Sequence, residues 1–344
     1  MRAFRFETTA RHMMAPSRAT VLKVICACGL AASACSGVQS SLSPAGREAG
    51  RIAMLFWWMA GGALIAWVAT IAVALYYYRR SPHARDRRRD RTLIIGGGVL
   101  VPTITLTLLL VYGLAMLPDA VARAPDGSQQ VLVQGEQWWW RVRYVGPGGD
   151  PIDLANEVRL PVGRAVQFHL ESDNVIHSFW IPSLAGKMDM IPGRVTHLAI
   201  RPTATGRFRG ACAEYCGTSH ALMAFAVDVM DGEAFDRWLE HQAEPASAIV
   251  EPLASRGERL FLENGCDGCH AVRGTRADGV IGPDLTHVGG RRTLAAGILP
   301  NDLEALRRWI AGSERIKPGA HMPSFSMLPS GDLRALAAYL HALD

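Results

Sequence analysis

Two long apolar stretches constrain the fold of this chain more than any other feature of its sequence. Residues 52–78 carry no charged side chain, and residues 93–117 carry no ionisable side chain except Tyr112. Each stretch is long enough to cross the roughly 30 Å hydrocarbon layer of a membrane as a helix. Core helices of a soluble domain would each show a polar stripe, which neither stretch has. We therefore predict a two-helix transmembrane hairpin within residues 50–117.

The segment between these stretches indicates the direction in which they cross the membrane. Residues 79–91 contain seven arginines and two aspartates. Short loops rich in Lys and Arg stay on the cytoplasmic side, so both ends of the mature chain are expected outside. This pattern predicts a multi-pass protein of the bacterial inner (cell) membrane, in contact with lipid, with its other domains on the periplasmic side.

The first 35 residues have the pattern of a secretory signal. Several basic residues are followed by an apolar stretch over residues 21–34, and small residues precede Cys35. A cysteine at this place is typical of a lipoprotein, but Ala32 stands where leucine is usual. Residues 1–35 are therefore predicted to be a signal peptide, and attachment of a lipid at Cys35 stays open.

The charge balance outside the membrane argues against nucleic acid as a partner. The chain has 36 basic and 31 acidic residues, but its positive excess lies in the N-terminal segment and the arginine-rich loop. Residues 117–250 hold 11 basic and 16 acidic groups, and residues 251–344 hold 11 of each. Such an outer surface suits a basic soluble redox partner and would not attract nucleic acid.

The part of the chain after the hairpin changes character near residue 243. Short β-rich segments between Gly, Pro and Asp turns predict an all-β Greek-key domain over residues 118–242. A stretch resembling a linker follows at residues 243–247. Apolar residues then recur at helical spacing, which predicts an all-α domain over residues 251–344. The β-rich segments are residues 131–133, 138–144, 158–160, 165–170 and 196–200.

One twelve-residue segment of the predicted β domain concentrates soft metal ligands, a set that suits copper. The side chains are Cys212, Cys216, His220 and Met223. A disulfide would leave the histidine and the methionine without a role, and zinc would prefer another Cys or His to a methionine. A copper site also needs a second imidazole. His177 is a candidate, although alone it is no different from an ordinary histidine.

A second metal motif, Cys266-Asp267-Gly268-Cys269-His270, lies in the predicted helical domain. In such a motif the two thiols attach a c-type haem covalently, and the histidine binds its iron. A thioredoxin-like redox pair is the alternative, but it needs a βαβ context that this sequence lacks. A chain with a copper site and a covalent haem is predicted to carry electrons.

Three segments resemble subunit II of the haem-copper cytochrome c oxidases. They are Gly135-Glu136-Gln137-Trp138-Trp139-Trp140, Val175-Ile176-His177-Ser178-Phe179-Trp180-Ile181-Pro182, and the segment from Cys212 to Met223. The resemblance covers roughly residues 45–240, including the membrane hairpin. It implies a cupredoxin-like domain that holds a binuclear copper centre of the A type.

The same resemblance implies a role for each residue of the site. Cys212 and Cys216 would bridge both copper ions. His177 and His220 would each bind one of them. Met223 would be a weak ligand of one copper ion, and the backbone carbonyl of Glu214 would bind the other. The Glu214 carboxylate would reach a Mg²⁺ ion shared with subunit I. Trp138 would be the surface aromatic through which a docked cytochrome c passes its electron.

Two departures from the family pattern bear on function. Asn174 stands where many relatives have an aspartate just before the copper histidine, so docking or the hydrogen bond at this position could differ. Residues 93–98 lack the glutamate that many relatives place near the mouth of a proton channel. The resemblance therefore does not imply proton uptake through this subunit.

The last domain resembles the class I cytochromes c. The shared features are a helix before Cys266, residues 282–285 after the haem motif, and residues 319–325 before the last helix. By this resemblance His270 would be the proximal iron ligand and Met322 the distal one, a pairing that raises the reduction potential. The alternatives for the distal position are Met327 and His321.

The expected function is that of the subunit through which electrons pass into a proton-pumping terminal oxidase, an oxidoreductase and translocase. Electrons would pass from cytochrome c to the haem, then to the binuclear copper, then to subunit I, where oxygen is reduced to water. This chain lacks the many spans and histidine clusters of an oxygen-reducing site. Two alternatives stay open: the copper subunit of a nitric oxide reductase, and a membrane-anchored protein of copper delivery or redox sensing.

Overall fold

The computed structural model describes residues 37–79, 86–120 and 122–344. The predicted signal peptide with Cys35 lies outside the described residues, as do residues 80–85 of the arginine-rich loop. The described part forms two long apolar helices, a domain of two β-sheets and a helical domain. The predicted multi-domain fold class is thus confirmed.

Two helical segments correspond to the predicted membrane spans, and each is longer than the span predicted for it. The first is α1 (Arg47–Arg79). The second runs from α2 (Arg87–Ile95) through a π-helical turn (Gly96–Leu100) into α3 (Val101–Ala120). Both contain an apolar window that could cross a membrane, and the described protein buries no residue of either window. Apolar helices of this length with bare surfaces are suited to lipid.

Helix α1 begins five residues before the predicted span because its first turns pack on the β domain. Ala45, Ala49 and Ala53 are buried there. The amide of Ala49 donates a hydrogen bond of 3.2 Å to the carbonyl of Leu184. Small side chains let the helix approach the domain closely, so the membrane hairpin and the β domain are joined by direct contact.

Ten strands form two five-stranded sheets. They are β1 (Gln129–Glu136), β2 (Trp139–Val145), β3 (Pro151–Ala155), β4 (Glu157–Pro161), β5 (Val166–Ser172), β6 (His177–Trp180), β7 (Met188–Met190), β8 (Thr196–Ile200), β9 (Gly206–Cys212) and β10 (Ala224–Met230). One sheet has the order β3-β2-β1-β5-β8 and the other β4-β10-β9-β6-β7. Strands β1 and β5, and likewise β4 and β10, pair in parallel. The chain changes sheet between β3 and β4, β4 and β5, β5 and β6, β7 and β8, and β8 and β9, which agrees with the predicted all-β Greek-key domain.

Aromatic side chains fill the core between the sheets close to the predicted copper ligands. Trp140, Phe179 and Phe225 are fully or almost fully buried. The Trp140 ring meets the other two edge-on, at centroid distances of 5.7 and 5.3 Å. It also lies 6.2 Å from the His177 ring. Interlocked rings of this size give the strand ends that carry the ligands a rigid support.

The β domain ends in a helix that the sequence patterns do not predict. Helix α4 (Gly232–Ala243) buries Phe235 and Leu239 against the same core. These two side chains are four residues apart and therefore lie on one face of the helix. Helix α4 covers the sandwich at this edge.

The helical domain has its own core, built by three helices. They are α5 (Pro252–Glu263), α6 (Leu303–Ile316) and α7 (Ser330–His341). Glu251 accepts a hydrogen bond of 2.6 Å from the Ala254 amide and so caps α5. The rings of Phe261 on α5 and Tyr339 on α7 pack at 5.5 Å. Two short strands, β11 (Thr293–Leu294) and β12 (Leu299–Pro300), complete the domain.

Candidate functional site

The predicted copper ligands meet at one end of the two-sheet domain. His177 is the first residue of β6 and Cys212 the last residue of β9, and these two strands are paired. The loop after β9 carries the other candidate ligands. The Cys212 amide donates a hydrogen bond of 2.9 Å to the Met223 carbonyl, which closes this loop at its base. Strand pairing and loop closure therefore bring residues 35 positions apart into one site.

The ligand atoms form a chain in which each thiol has its own imidazole. The Cys212 sulfur lies 3.8 Å from Nδ1 of His177 and 3.8 Å from the Cys216 sulfur. The Cys216 sulfur lies 3.5 Å from Nδ1 of His220 and 3.8 Å from the Met223 sulfur. Two facing thiols, each with an imidazole beside it and one with a thioether, fit a pair of copper ions that share both sulfurs.

The two oxygen-bearing groups of Glu214 point in different directions. Its backbone carbonyl lies 3.1 Å from the Cys212 sulfur, within the site. Its carboxylate is about half exposed and lies 3.7 Å from Nζ of Lys187. By contrast, His177, Cys216 and Met223 are buried. The soft donors are thus enclosed, and the carboxylate is available at the surface.

Asn174 orients the buried imidazole. Its Oδ1 lies 3.0 Å from Nε2 of His177 and accepts the hydrogen of that nitrogen. The other ring nitrogen, Nδ1, is then free to bind a metal on the side of Cys212. Gly135 makes room for the ring, because a Cβ atom there would lie 2.8 Å from Cδ2 of His177. The departure from aspartate therefore keeps the hydrogen bond that a carboxylate would make.

The two thiols titrate as a pair. The hydrogen bond between them lowers the pKa of Cys212 and raises the pKa of Cys216, which keeps the shared proton. A thiolate is the form that binds metal, so Cys212 is prepared for coordination and Cys216 still has to lose its proton. Metal binding at this site is therefore coupled to proton release.

Trp138 does not lie on an open surface. Its Nε1 donates a hydrogen bond of 2.9 Å to the Cys216 carbonyl. On its other side, a Cβ atom on Gly319 would lie 2.7 Å from Cζ3 of the indole. Gly319 belongs to the helical domain, so this chain's own cytochrome-like domain covers the aromatic through which a docked cytochrome was predicted to pass its electron. Local patterns contain no information on how two domains pack, which is why the sequence did not show this contact.

The haem motif follows helix α5. Nδ1 of His270 lies 2.7 Å from the Pro283 carbonyl and donates its hydrogen to it, which leaves Nε2 free for iron. Burial lowers the pKa of His270 and thereby favours the neutral imidazole that a metal needs. Burial also raises the pKa of the Cys266 thiol to about 11. These side chains fit a covalently attached haem.

The three candidates for the distal iron ligand differ in their surroundings. Met322 packs against the core of the helical domain, and its carbonyl accepts a hydrogen bond of 2.7 Å from Oγ of Ser313. Met327 is 75% exposed, and His321 is exposed as well. The packing therefore favours Met322.

Polar contacts also join the β domain and the helical domain away from the metal motifs. The Arg292 guanidinium pairs with the Asp228 carboxylate at 2.5 Å. The Arg292 amide donates a hydrogen bond of 2.8 Å to the Glu157 carboxylate. A backbone hydrogen bond of 3.0 Å runs from the Ala224 amide to the Ala296 carbonyl. The two domains thus share a polar interface that extends beyond the aromatic contact.

Two further residues connect the domains next to residues 213–223, the segment between β9 and β10 that is called the copper loop below, and sequence patterns single out neither of them. Oγ of Ser219 donates a hydrogen bond of 2.6 Å to the Pro318 carbonyl. Nζ of Lys317 donates to the carbonyls of Leu222, at 3.0 Å, and Ala295, at 3.2 Å. The one available signal is rarity, since the chain has three lysines among its 36 basic residues.

Comparisons with known proteins agree with this two-part site. The family described as "Cytochrome C oxidase subunit II, periplasmic domain" matches residues 147–230, and the family "Cytochrome c" matches residues 254–344.

Individual relatives extend this match over most of the chain. A cytochrome c oxidase subunit 2 of Alkalihalophilus pseudofirmus is 34% identical over 293 residues, which are 81% of this chain and 84% of that protein. One from Bacillus subtilis is 33% identical over 255 residues, 71% of this chain and 70% of that protein. The solved periplasmic domain of subunit II from Bradyrhizobium japonicum is 30% identical and covers 35% of this chain and 96% of its own, with a TM-score of 0.32.

Proposed function

The chain belongs to the family of cytochrome c oxidase subunit II, and on that premise we propose that it carries electrons into a terminal oxidase. A donor cytochrome c delivers electrons to the helical domain, and the copper domain passes them to subunit I, where oxygen is reduced to water. The observation that carries this proposal is the position of Trp138, in contact with both domains.

In this proposal, the buried donor set holds a binuclear copper centre. The two cysteines and the two histidines would hold the metals, with the thioether and the backbone carbonyl beside them. Such a pair of copper ions would supply a one-electron carrier whose ligands move little when the charge changes. The chain's own contribution is to fix the donor atoms in advance on a paired strand end and a closed loop. The assigned ligands are His177, Cys212, Cys216, His220, Met223 and the carbonyl of Glu214.

In the helical domain, Cys266 and Cys269 attach one haem c, and His270 and Met322 hold its iron. The hydrogen bond from His270 to Pro283 and the packing of Met322 support this assignment. Ligation by histidine and methionine gives a high reduction potential, which suits a carrier that receives electrons from another cytochrome c.

Trp138 serves as the contact through which the helical domain hands electrons to the copper domain. The indole is hydrogen-bonded to the backbone of a copper ligand and lies against the loop that leads to Met322. External donors then dock on the helical domain, because that domain covers Trp138. In this role Trp138 remains the point of electron entry to the copper domain, with the chain's own helical domain as the docked cytochrome.

Further parts of the proposal concern the membrane and the neighbouring subunits. The two apolar helices support a multi-pass arrangement in the bacterial inner membrane, beside subunit I and other oxidase subunits. The half-exposed Glu214 carboxylate supports a Mg²⁺ ion at the contact with subunit I. Proton pumping belongs to the whole oxidase. The named relatives favour an oxidase over a nitric oxide reductase, and a copper-delivery protein would have no use for a covalent haem.

Spectroscopy of the full-length chain, matured with haem and supplied with copper, tests the proposal. We expect the absorption of a c-type haem together with an EPR signal from one electron shared by two copper ions. Replacement of His220 by Asn should abolish the shared-electron signal. Replacement of His169 by Asn, on β5 and outside the site, should leave the signal intact. An EPR signal of isolated single copper ions in the wild type would contradict the copper assignment.

A further inference from the structure

Lys317 is the most deeply buried cationic side chain at the contact between the two redox domains within the described part of the chain. It is only 3% exposed. Its Nζ donates one hydrogen bond to the Leu222 carbonyl of the copper loop and another to the Ala295 carbonyl of the helical domain. A single amine therefore joins the two domains within the turn that connects His220 to Met223.

The same lysine lies at a structurally defined place in the helical domain. It directly follows helix α6, and its amide donates a hydrogen bond of 2.8 Å to the Ser313 carbonyl. The hydroxyl of Ser313 in turn donates to the Met322 carbonyl at 2.7 Å. The backbone around Lys317 is thus tied to the segment that carries the proposed distal iron ligand.

The residues on either side of this contact reinforce it. Pro318 accepts a hydrogen bond from Ser219 in the copper loop, and Gly319 lies against the Trp138 indole. Three successive residues of the helical domain therefore meet the copper loop and the aromatic beside it. Of these three, only Lys317 reaches the interface with its side chain as a hydrogen-bond donor.

The bonding of Lys317 does not depend on its charge. Burial lowers the pKa of the amine to about 7, so both protonation states are accessible near neutrality. The neutral amine still has two N–H groups, which is the number of carbonyls that it serves. Loss of the amine would remove the donor that both carbonyls share, at two half-buried residues of the interface.

We propose that Lys317 is a positioning residue, which holds the loop before Met322 on the copper loop and thereby sets the rate of electron transfer between the domains. Only the effect on electron transfer rests on the proposed function. The positioning itself is a property of the described residues, and it can be measured without any electron moving.

The test compares four versions of the full-length, metal-loaded chain: wild type, Lys317→Met, Lys317→Arg and Arg292→Met. Methionine keeps the length of the side chain but removes its donors, whereas arginine restores donors. Arg292→Met is the matched control, because it breaks an ion pair of the same interface away from the copper loop. The readouts are backbone hydrogen exchange in residues 217–223 and 318–322, the midpoint potentials of both centres, and the rate at which reduced haem passes its electron to copper.

We expect Lys317→Met to raise exchange in both segments at least about tenfold, equivalent to about 1.4 kcal/mol, and to slow transfer several-fold. The midpoint potential of the haem should stay unchanged, and Lys317→Arg should recover much of the protection. Arg292→Met should leave both segments protected. Unchanged exchange in Lys317→Met, or the same loss in Arg292→Met, would overturn the proposal. Absence of transfer in the wild type would instead contradict the proposed function, and the exchange data would still decide the role of Lys317.

Discussion

His177 and His270 belong to different domains, yet each is oriented by a hydrogen bond from the ring nitrogen that faces away from the metal position. The acceptor is a side-chain amide oxygen in one case and a backbone carbonyl in the other. Both bonds select the tautomer that leaves the opposite nitrogen free for coordination. His270 could be identified from the spacing of its motif, and His177 only from the family resemblance. The same resemblance drew attention to Asn174, whereas no sequence pattern pointed to the Pro283 carbonyl, because a backbone acceptor has no spacing rule of its own.

Removal of the acceptor at Asn174 should weaken the copper site. Asn174→Ala leaves Nε2 of His177 without its partner, and loss of such a partner typically lowers metal affinity about 10–100-fold. Asn174→Asp, which keeps an acceptor oxygen, is the matched control and should retain copper. The measurement is the copper content of each variant during titration with a chelator. Retention equal to wild type in Asn174→Ala would show that the hydrogen bond is dispensable.

Separate substitutions of Met322 and Met327 distinguish two assignments of the distal iron ligand. Met322→Leu should lower the haem reduction potential by on the order of tenths of a volt, within the about 0.8 V range that axial ligands span. Met327→Leu, at an exposed position, should leave the potential unchanged. Redox titration of the haem band measures both. A lowered potential in Met327→Leu alone would transfer the assignment to that residue.

At the scale of helices and strands, the elements with a strong periodic pattern of apolar residues are the ones that the sequence predicted. The apolar spans, strands such as β5 and β8, and helices α6 and α7 all appear where spacing predicted them. Strand β6 has four residues, of which three are buried, so it is too short to show alternation. Strand β9 alternates only around Phe208, and its two glycines, Gly206 and Gly210, weaken the strand pattern. Helix α4 was missed because its apolar stripe, made by Phe235, Trp238 and Leu239, spans little more than one turn.

The loop at Gly319 offers a test of the contact between the helical domain and Trp138. Alanine there would adopt an unfavourable φ of +78° and bring its Cβ within 2.7 Å of the indole. Gly163→Ala is the matched control, since its φ is +77° and its Cβ would meet no atom within 4 Å. Both variants should lose about 1 kcal/mol of unfolding free energy through backbone strain.

Only Gly319→Ala should also slow electron transfer from haem to copper, because only this substitution pushes the loop away from Trp138. Thermal unfolding and time-resolved absorption of the two variants provide the comparison. Equal transfer rates in Gly319→Ala and Gly163→Ala would show that this loop does not need to touch the indole.

At the scale of the whole molecule, the relation between the domains was beyond the reach of sequence reasoning. Metal motifs identify two centres because their ligands are close in sequence, or belong to a recognisable family. The covering of Trp138 and the bridge made by Lys317 arise from surfaces that are far apart in the chain. Charge counts gave the net charge of each domain. They could not identify the ion pairs between the two domains, such as that of Arg292 with Asp228.

Docking of the two domains should strengthen as pH rises above neutrality. Burial lowers the pKa of Lys317 to about 7, whereas the separated domains restore its usual value of 10.5. Between these values, separation takes up a proton, so it becomes less favourable with rising pH, by at most about 1.4 kcal/mol per pH unit. Below about pH 7 the lysine is protonated in both states and the dependence ends.

Hydrogen exchange at the interface between pH 7 and 9, corrected for intrinsic exchange rates, measures this dependence. Lys317→Met should remove the additional slope, and Arg292→Met should keep it. A wild-type slope that persists in Lys317→Met would assign the dependence to another group.

The most direct test of the account is the kinetics of electron transfer inside the full-length chain. A small reductant delivers one electron to the haem, and the absorption of haem and copper is then followed over a wide range of protein concentrations. We predict that haem reoxidation and copper reduction occur together, with a first-order rate that does not change on dilution. A rate proportional to protein concentration would contradict the account, because electrons would then pass between molecules rather than across the contact at Trp138.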